Sequence, residues 1–277
     1  MSLDVGQALR SGIDDLTSET GVLVGAVFLL YSLASLVVNQ SLAAELLERV
    51  FATYTPEQRE AIESFGGGAT STPFALDIGL PIVVVLVVLV ALVGELVRYW
   101  AIRSFAGPDE TATPEFGDRA VMAAVLGGGV ALAVLLFQSV LPTVGQLGGL
   151  ATTLIGSIVG PVVGLVLVTV FVYLRQEIAL SDGGYAATVR QSFARFMDDP
   201  VSIIVLLVVL GILGLLGGIP GVVVTFTVGT GSVAGLPLAA VSGVFSAVLS
   251  TVFQILGIAA VTDAYVQVRT SAAESAV

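Results

Sequence analysis

The chain has 277 residues, of which 56% are hydrophobic and only 11% charged, and its mean hydropathy is +1.03. A soluble domain is closer to half apolar and a quarter charged, so lipid must solvate part of this chain. The net charge of −11 argues against a nucleic acid partner. We therefore predict a single integral membrane domain over residues 1–277.

The absence of three residue types narrows the chemistry that the chain can perform. The sequence contains no Cys, His or Lys. This excludes disulfides, thiolate nucleophiles, imidazole or thiolate metal sites and the phosphate-binding lysine of a P-loop. A serine nucleophile would also lack a His or Lys to act as its base. We therefore expect a non-enzymatic protein with no cofactor, no metal site and no catalytic residues.

Six apolar runs are long enough to cross the hydrocarbon core as helices, which takes about 20 residues each. Several are rich in Val and Ile, but they do not alternate as barrel strands do, and an open sheet in lipid leaves unpaired edges. The predicted fold class is therefore an all-α polytopic membrane helix bundle. Its six transmembrane helices are expected at about residues 21–39, 78–100, 120–141, 151–174, 201–219 and 237–262.

Amphipathic segments between the spans predict helices that lie on the cytoplasmic membrane surface. In residues 3–16 and 185–197, apolar side chains recur at helical spacing while the charged residues fall elsewhere. Thr113 followed by Pro114 predicts the start of a third, shorter surface helix. Between the first two spans, an apolar stripe over residues 42–54 and a capping box at Thr55 predict a helical hairpin on the outer face.

The positive charges predict the orientation of the chain in the membrane. All ten are arginines, and only Arg49 and Arg59 fall on the side opposite to the other eight. Because positive charge in short loops stays cytoplasmic, both termini are expected in the cytoplasm and the protein in the plasma membrane. Arg10, Arg190 and Arg195 lie on the surface segments, where we expect them to contact anionic lipid headgroups.

Each even-numbered span ends in a carboxylate close to a Tyr and an Arg. The carboxylates could line an inward-facing polar cavity that binds a cation or a proton. Alternatively, each acid pairs with the arginine nearest to it in sequence, and the aromatic residues anchor the interface. The three pairs are Glu95 with Arg98, Glu177 with Arg175, and Asp263 with Arg269.

The sixth predicted span carries Ser242, Ser246, Ser250 and Gln254 at strict four-residue spacing. This spacing places the four polar groups along one helical face. They form either one wall of a polar pathway or a seam between closely packed helices. Gln138 in the third span is a possible partner in both interpretations. Together with Glu95 and Asp263, these residues make up the candidate polar site.

The chain also contains two pairs of adjacent aspartates, each just before a predicted span. These are Asp14 with Asp15, and Asp198 with Asp199. Paired carboxylates can hold a metal for hydrolysis, but no second set of ligands accompanies either pair. We therefore interpret them as caps at helix ends.

Two segments carry a resemblance to known membrane proteins. They are Leu3-Asp4-Val5-Gly6-Gln7-Ala8-Leu9-Arg10 leading into residues 21–24, and Val189-Arg190-Gln191-Ser192-Phe193 leading into Asp198-Asp199-Pro200. The pattern resembles a family of haloarchaeal six-helix integral membrane proteins. That family is similar in turn to the membrane domain of glycerophosphodiester phosphodiesterases. The resemblance implies a halophilic archaeal membrane protein, but no activity, because the phosphodiesterase requires a histidine-bearing catalytic domain.

Two functions remain open at this point. The first is a non-enzymatic membrane protein that organises or assists membrane lipids or membrane protein partners through its surface helices. The alternative is a small secondary permease with a polar pathway along the sixth span. The lack of deeply placed charges, combined with well-developed amphipathic segments, favours the first function.

Overall fold

The computed structural model describes residues 3–55, 57, 72–110, 116–135, 164, 166, 168–169, 171–228 and 235–275. Within these residues every regular element is helical and no strand occurs, which confirms the all-α prediction. A π-helical turn at Ala123–Gly127 joins the fourth and fifth helices. In chain order the helices are α1 Val5–Thr17, α2 Glu19–Ala52, α3 Leu80–Glu110, α4 Phe116–Met122, α5 Gly128–Leu135, α6 Leu174–Leu180, α7 Tyr185–Asp198, α8 Pro200–Val228 and α9 Gly235–Ser275.

Three helices in the described ranges are long and apolar enough to cross a membrane: Glu19–Arg49, Leu80–Gly107 and Ala240–Ser271. A fourth candidate is the bent pair Tyr185–Asp198 and Pro200–Leu216. These helices overlap the predicted first, second, fifth and sixth spans. Of the predicted third span, residues 136–141 lie outside the described residues. The same is true of most of the predicted fourth span.

The predicted surface segments fold as helices where the structure describes them. Helices α1 and α7 match residues 3–16 and 185–197 to within a residue or two, and α4 follows the segment that begins at Thr113.

The first arm of the predicted outer hairpin has a different structure from the one expected. Helix α2 continues without a break from Glu19 to Ala52, because no Gly or Pro interrupts the chain after Gly25. The first arm of the hairpin is thus an extension of the span, and most of the second arm lies outside the described residues.

The chain divides into two compact units. The first contains Met1–Val24, Ala91–Val209 and Leu256–Val277, and the second contains Gly25–Val90 and Leu210–Ile255.

In the second unit, α2 and α9 pack antiparallel along a seam of small residues. The Thr251 hydroxyl donates a hydrogen bond to Ser32 Oγ (3.0 Å). Towards one end of the seam, a Cβ placed on Gly243 would lie 3.8 Å from Leu36 Cδ2, which is ordinary van der Waals distance. Towards the other, a Cβ on Gly25 would meet Ile255 Cδ1 at 3.4 Å. Small residues such as Gly, Ser and Thr allow helix backbones to approach closely.

The described segment before α3 is tied to the middle of α2. Ser41 Oγ accepts a hydrogen bond from the Leu76 amide (2.8 Å), and Gln40 Oε1 accepts one from the Phe74 amide (2.9 Å). The Ser41 hydroxyl itself donates to the Val37 carbonyl. Helix α3 therefore begins close to the level of Ser41, and the last turns of α2 extend beyond that level.

In the first unit, α1 packs against the part of α9 that begins at Leu256. A Cβ placed on Gly12 would lie 3.1 Å from the backbone nitrogen of Ala260, so the absent side chain allows close approach. Ser18, between α1 and α2, accepts a hydrogen bond from the Gly21 amide and caps α2. The side chain that caps α2 is therefore Ser18. The interpretation of Asp14 and Asp15 as the cap of this helix is wrong.

The second aspartate pair does form a helix cap. Asp199 Oδ1 accepts a hydrogen bond from the Ser202 amide (3.2 Å), and Pro200 occupies the first position of α8. The other carboxylate oxygen of Asp199 accepts from the Leu3 amide (3.1 Å). This one side chain therefore starts α8 and fixes the N-terminal segment against it.

Candidate functional site

The first unit contains a buried carboxylate that is held by two arginines. The side chain of Glu95, on α3, is only 1% exposed. Arg175 on α6 forms a bidentate pair with it, through Nε to Oε2 (2.7 Å) and Nη2 to Oε1 (2.8 Å). Arg98, one turn along α3, donates from Nη1 to Oε1 (2.7 Å). An unpaired carboxylate buried this deeply would be strongly destabilising, so the two arginines make its burial possible.

Gly127 provides the space that Glu95 occupies. A Cβ at position 127 would lie 2.5 Å from Glu95 Oε2, closer than real Cβ contacts. Gly127 is the last residue of the π-helical turn Ala123–Gly127. Such turns are frequent at functional sites, where the extra residue redirects the side chains that follow. The π turn and the missing side chain together let α3 and the start of α5 approach each other at the carboxylate.

A second buried carboxylate lies further along α6. The Glu177 side chain is fully buried and pairs with Nε of Arg195 on α7. The Arg195 guanidinium also lies 4.9 Å from the ring centroid of Tyr265, within cation–π range. Tyr173, at the start of α6, packs edge-on against the same ring with 5.6 Å between centroids. These contacts join α6, α7 and α9 around one ion pair.

Three further arginines donate hydrogen bonds to the carbonyl groups at and after the end of α6. Arg103 on α3 bonds to the Ala179 carbonyl (3.3 Å), and Arg269 on α9 bonds to the Leu180 carbonyl (3.2 Å). Arg119 on α4 bonds to the carbonyl of Gly183, just beyond the helix (2.8 Å). The last carbonyls of a helix have no partner within it and carry partial negative charge, which guanidinium groups neutralise.

We expected each carboxylate to pair with the arginine nearest to it in sequence, and the structure confirms this for only one of them. Glu95 does pair with Arg98. For Glu177 the expectation was wrong, because Arg175 reaches across to Glu95 and leaves Glu177 to Arg195. A residue one or two steps away on a helix points to another face, so sequence proximity does not decide the partner.

Asp263 lies beside α1. It accepts a hydrogen bond from the Gln267 amide nitrogen (2.7 Å), and Gln267 Oε1 accepts from the Asp4 backbone amide (3.1 Å). The arginine expected to pair with it, Arg269, donates to a carbonyl of α6 instead. Asp263 also faces Asp15 of α1 closely enough to repel its charge.

The predicted polar stripe of α9 lies in the second unit, next to the face that packs. The buried positions there are Ala247, Thr251 and Ile255, one residue after each of Ser246, Ser250 and Gln254. The four-residue spacing was therefore informative, but the face that forms the seam is rotated by one residue. The stripe residues are only partly buried, and Ser242 belongs to the same partly buried line. Gln138 lies outside the described residues.

The three arginines predicted to contact lipid headgroups occupy different environments. Arg10 on α1 and Arg190 on α7 are exposed. Arg190 lines an apolar groove together with Phe171, Tyr185 and Phe193. Arg195 is engaged by Glu177 and Tyr265 as described above.

A cavity of about 200 Å³ adjoins the Glu95 cluster. Its lining combines two guanidinium-bearing side chains, Arg98 and Arg175, with six apolar residues. These six are Gly127, Val130, Ala131, Val168, Phe171 and Leu174. Within the described ranges, no group of three or more Asp or Glu side chains is arranged to hold a metal ion. The arrangement is suited to binding a group with one negative end and one apolar end.

The first prediction concerns the fit between Gly127 and Glu95. Replacing Gly127 by Ala would push a methyl group into the carboxylate and strain its bonds to Arg175. We expect Gly127→Ala to destabilise the protein by about 1–3 kcal/mol, measured as thermal unfolding in detergent. Gly129→Ala is the matched control, because no neighbouring atom of the described residues lies within 4 Å of the position that its Cβ would occupy. Equal unfolding temperatures for both variants would contradict this role of Gly127.

The second prediction concerns pH. Partial burial raises the pKa of Asp15, and the nearby carboxylates of Asp263 and Asp14 raise it further. An acid whose pKa is higher in the folded than in the unfolded protein binds more protons when folded. Its contribution to stability is therefore greatest below about pH 4 and is lost as the pH rises through the unfolded and then the folded pKa.

Replacing Asp15 by Asn removes this charge, so we expect Asp15→Asn to unfold at a higher temperature than the wild type at neutral pH. The difference should vanish below about pH 4, where Asp15 is protonated in both states. Thermal unfolding across this pH range measures it. Asp118→Asn, at an exposed site on α4, is the control. A pH profile of Asp15→Asn parallel to that of the wild type would be evidence against the effect.

The chain matches no protein-family model, and neither the curated proteins nor the solved structures contain a significant match to it. The features of the molecule that bear on its function are the arginine–carboxylate cluster, the adjoining cavity and the exposed faces of the helices.

Proposed function

We propose that this chain is a non-enzymatic polytopic protein of the cytoplasmic membrane that organises lipids or membrane protein partners along its cytoplasmic face. The observation that carries the proposal is the exposed apolar stripe of α7, formed by Tyr185, Phe193 and Met197, which are 47%, 47% and 56% exposed. The buried positions of this helix are two small polar residues and one aromatic residue, Thr188, Ser192 and Phe196. A water-soluble protein buries its apolar stripe, so this exposed stripe is suited to lipid or to an apolar partner.

The angle between α7 and α8 supports the same proposal. Helix α8 is almost entirely apolar, and α7 meets it at 94° across the break at Asp199. If α8 crosses the bilayer, α7 lies in the plane of the membrane, with its apolar stripe towards the acyl chains. Arg190, exposed next to this stripe, would then lie at the level of the headgroups.

The buried carboxylates support a non-enzymatic role. A general acid or base must reach a substrate, but Glu95 and Glu177 are closed off by guanidinium groups that donate directly to them. Their contacts join helices, which is a structural task. The cluster thus stabilises the cytoplasmic end of the bundle and leaves the helix surfaces to make external contacts.

The proposal extends to six transmembrane helices, with both termini in the cytoplasm and the protein in the plasma membrane of a halophilic archaeon. Its supports are the six apolar runs, the arginine asymmetry and the acidic, lysine-free composition. Membrane lipids are the expected partners, together with membrane proteins that dock on α7 or on the extended end of α2.

The absence of cysteine from the sequence makes the position of α7 directly measurable, because single cysteines can be introduced without background. We expect spin labels at Phe193→Cys and Met197→Cys, in liposomes, to be accessible to oxygen and protected from a water-soluble relaxing agent. Gln191→Cys, at an exposed polar position of the same helix, is the matched control and should show the reverse. Equal water accessibility at all three positions would remove the support for an interfacial α7.

The permease alternative retains one observation in its favour. The Ser246 hydroxyl is buried and has no hydrogen-bond partner among the described residues, as a group lining a polar pathway could be. Glu95, the acid that this alternative needs as an ion ligand, is already occupied by two arginines.

A flux assay separates the two functions. Under our proposal, liposomes that contain the protein should take up sodium ions or protons no faster than protein-free liposomes. Glu95→Gln and Gln254→Leu should then have no flux to reduce. Uptake above the protein-free level that either substitution abolishes would favour the permease and refute the proposed function.

A further inference from the structure

We infer that the cavity beside Glu95 binds the phosphate headgroup of one anionic phospholipid between Arg98 and Arg175, with an acyl chain against its apolar wall. The inference rests on the proposed function and names a specific site within it. This site lies apart from the exposed stripe of α7, and it uses arginines that the sequence assigned only to the ends of spans.

Charge is the first argument. The cluster sets two guanidinium groups against one carboxylate, and both guanidinium groups also line the cavity. Glu95 is buried beneath the arginines, with 1% of its side chain exposed, whereas Arg98 and Arg175 are 23% and 35% exposed. An approaching anion therefore meets the guanidinium groups before the carboxylate. Guanidinium groups bind phosphate oxygens through paired hydrogen bonds.

The lining of the cavity is the second argument. The other described residues of the lining carry no hydrogen-bonding side chain. They are Gly127, Val130, Ala131, Val168, Phe171 and Leu174. An inorganic phosphate would be solvated poorly there and would gain nothing from these surfaces. A phospholipid fits both parts of the site, since its phosphate meets the arginines and its hydrocarbon removes the apolar walls from contact with water.

The surroundings provide a path for the rest of the lipid. A volume of about 200 Å³ is smaller than a whole phospholipid, so most of the molecule must lie outside the cavity. Val168, in the lining, is 41% exposed. Phe171 also lines the neighbouring apolar groove formed with Leu126 and residues of α7. A lipid whose phosphate is bound by the two arginines can thus extend over Phe171 along the apolar groove.

Gly127 and Glu95 limit the depth to which the phosphate can enter the cavity. Glu95 fixes both guanidinium groups from behind, and Gly127 lines the cavity while leaving room for the carboxylate. Because the arginines are held before the lipid arrives, little side-chain entropy is lost on binding. The same carboxylate repels a phosphate that approaches too closely, so the anion stays on the exposed side of the arginines.

The experiment uses the full chain in mild detergent, with bound lipid removed, and native mass spectrometry to count bound molecules. The ligands are phosphatidylglycerol, phosphatidylcholine and inorganic phosphate. We expect one tightly bound phosphatidylglycerol, with phosphatidylcholine at least about tenfold weaker, because its headgroup has no net charge. Inorganic phosphate at the same concentration should neither bind nor displace the lipid.

Two substitutions test the two halves of the site. Arg175→Gln removes one guanidinium and should weaken phosphatidylglycerol binding by about tenfold or more, the usual effect of losing a charged hydrogen bond. Ala131→Phe fills the cavity while leaving both arginines and Glu95 unchanged, and should weaken binding to a similar extent. It keeps the inference testable if Arg175→Gln fails to fold.

Matched controls place the same changes elsewhere. Arg49→Gln removes an arginine on α2 whose side chain is 61% exposed, and Val208→Phe adds an aromatic ring at an exposed position of α8. Both should bind phosphatidylglycerol as the wild type does. Thermal unfolding of each variant establishes that it is folded before binding is compared.

Several outcomes would overturn the inference. Equal binding of phosphatidylcholine would remove the role of charge, and wild-type binding by folded Ala131→Phe would remove the cavity. Displacement of the lipid by inorganic phosphate would indicate a site for free anions. If the labels on α7 nevertheless report lipid contact, the proposed function survives and this inference alone fails. If the labels on α7 report contact with water while the cavity binds lipid, the lipid site stands and the proposed role of α7 fails.

Discussion

Two carboxylates buried at the end of a helix bundle are the constraint on which the first unit depends. A glutamate in an apolar environment is tolerated only when other charges meet it with good geometry. Glu95 and Glu177 satisfy this through arginines that come from other helices, Arg175 on α6 and Arg195 on α7. Each pair therefore holds two helices at a fixed distance. Separating them would leave a buried charge unpaired, which makes their arrangement strongly preferred over alternatives.

Helix α6 is the element that these charges organise. It is only seven residues long, too short to be stable alone, yet it carries one arginine and one glutamate of the two pairs. Arg103, Arg269 and Arg119 come from α3, α9 and α4 to bond the carbonyls at and after its end. Most of the arginines on the side predicted to be cytoplasmic are thus engaged inside the unit. The charge asymmetry that predicts orientation also supplies the cross-links of the fold.

The way in which the inner contacts are made also determines which side chains are exposed. Because ion pairs and small polar residues hold most of the inner contacts, three apolar side chains of α7 remain exposed, Tyr185, Phe193 and Met197. Buried ion pairs are also screened by salt much less than exposed ones such as Arg49 with Glu45, which matters if the protein works in concentrated salt. In the second unit the contacts have another basis, small residues along α2 and α9, as is usual where helices pack within lipid.

From the sequence alone one can predict the all-helical class, the three or four candidate spans in the described part of the chain, and the two amphipathic helices α1 and α7. These follow from hydropathy and periodicity, which are local properties of consecutive residues. Periodicity also found the packing side of α9, but missed the correct face by one residue. The pairing of Arg175 with Glu95, the need for glycine at position 127, and the burial of Thr188 and Ser192 on α7 arise only when the helices pack. Each of these depends on residues from other helices, and the partner of a side chain is set by where distant parts of the chain meet.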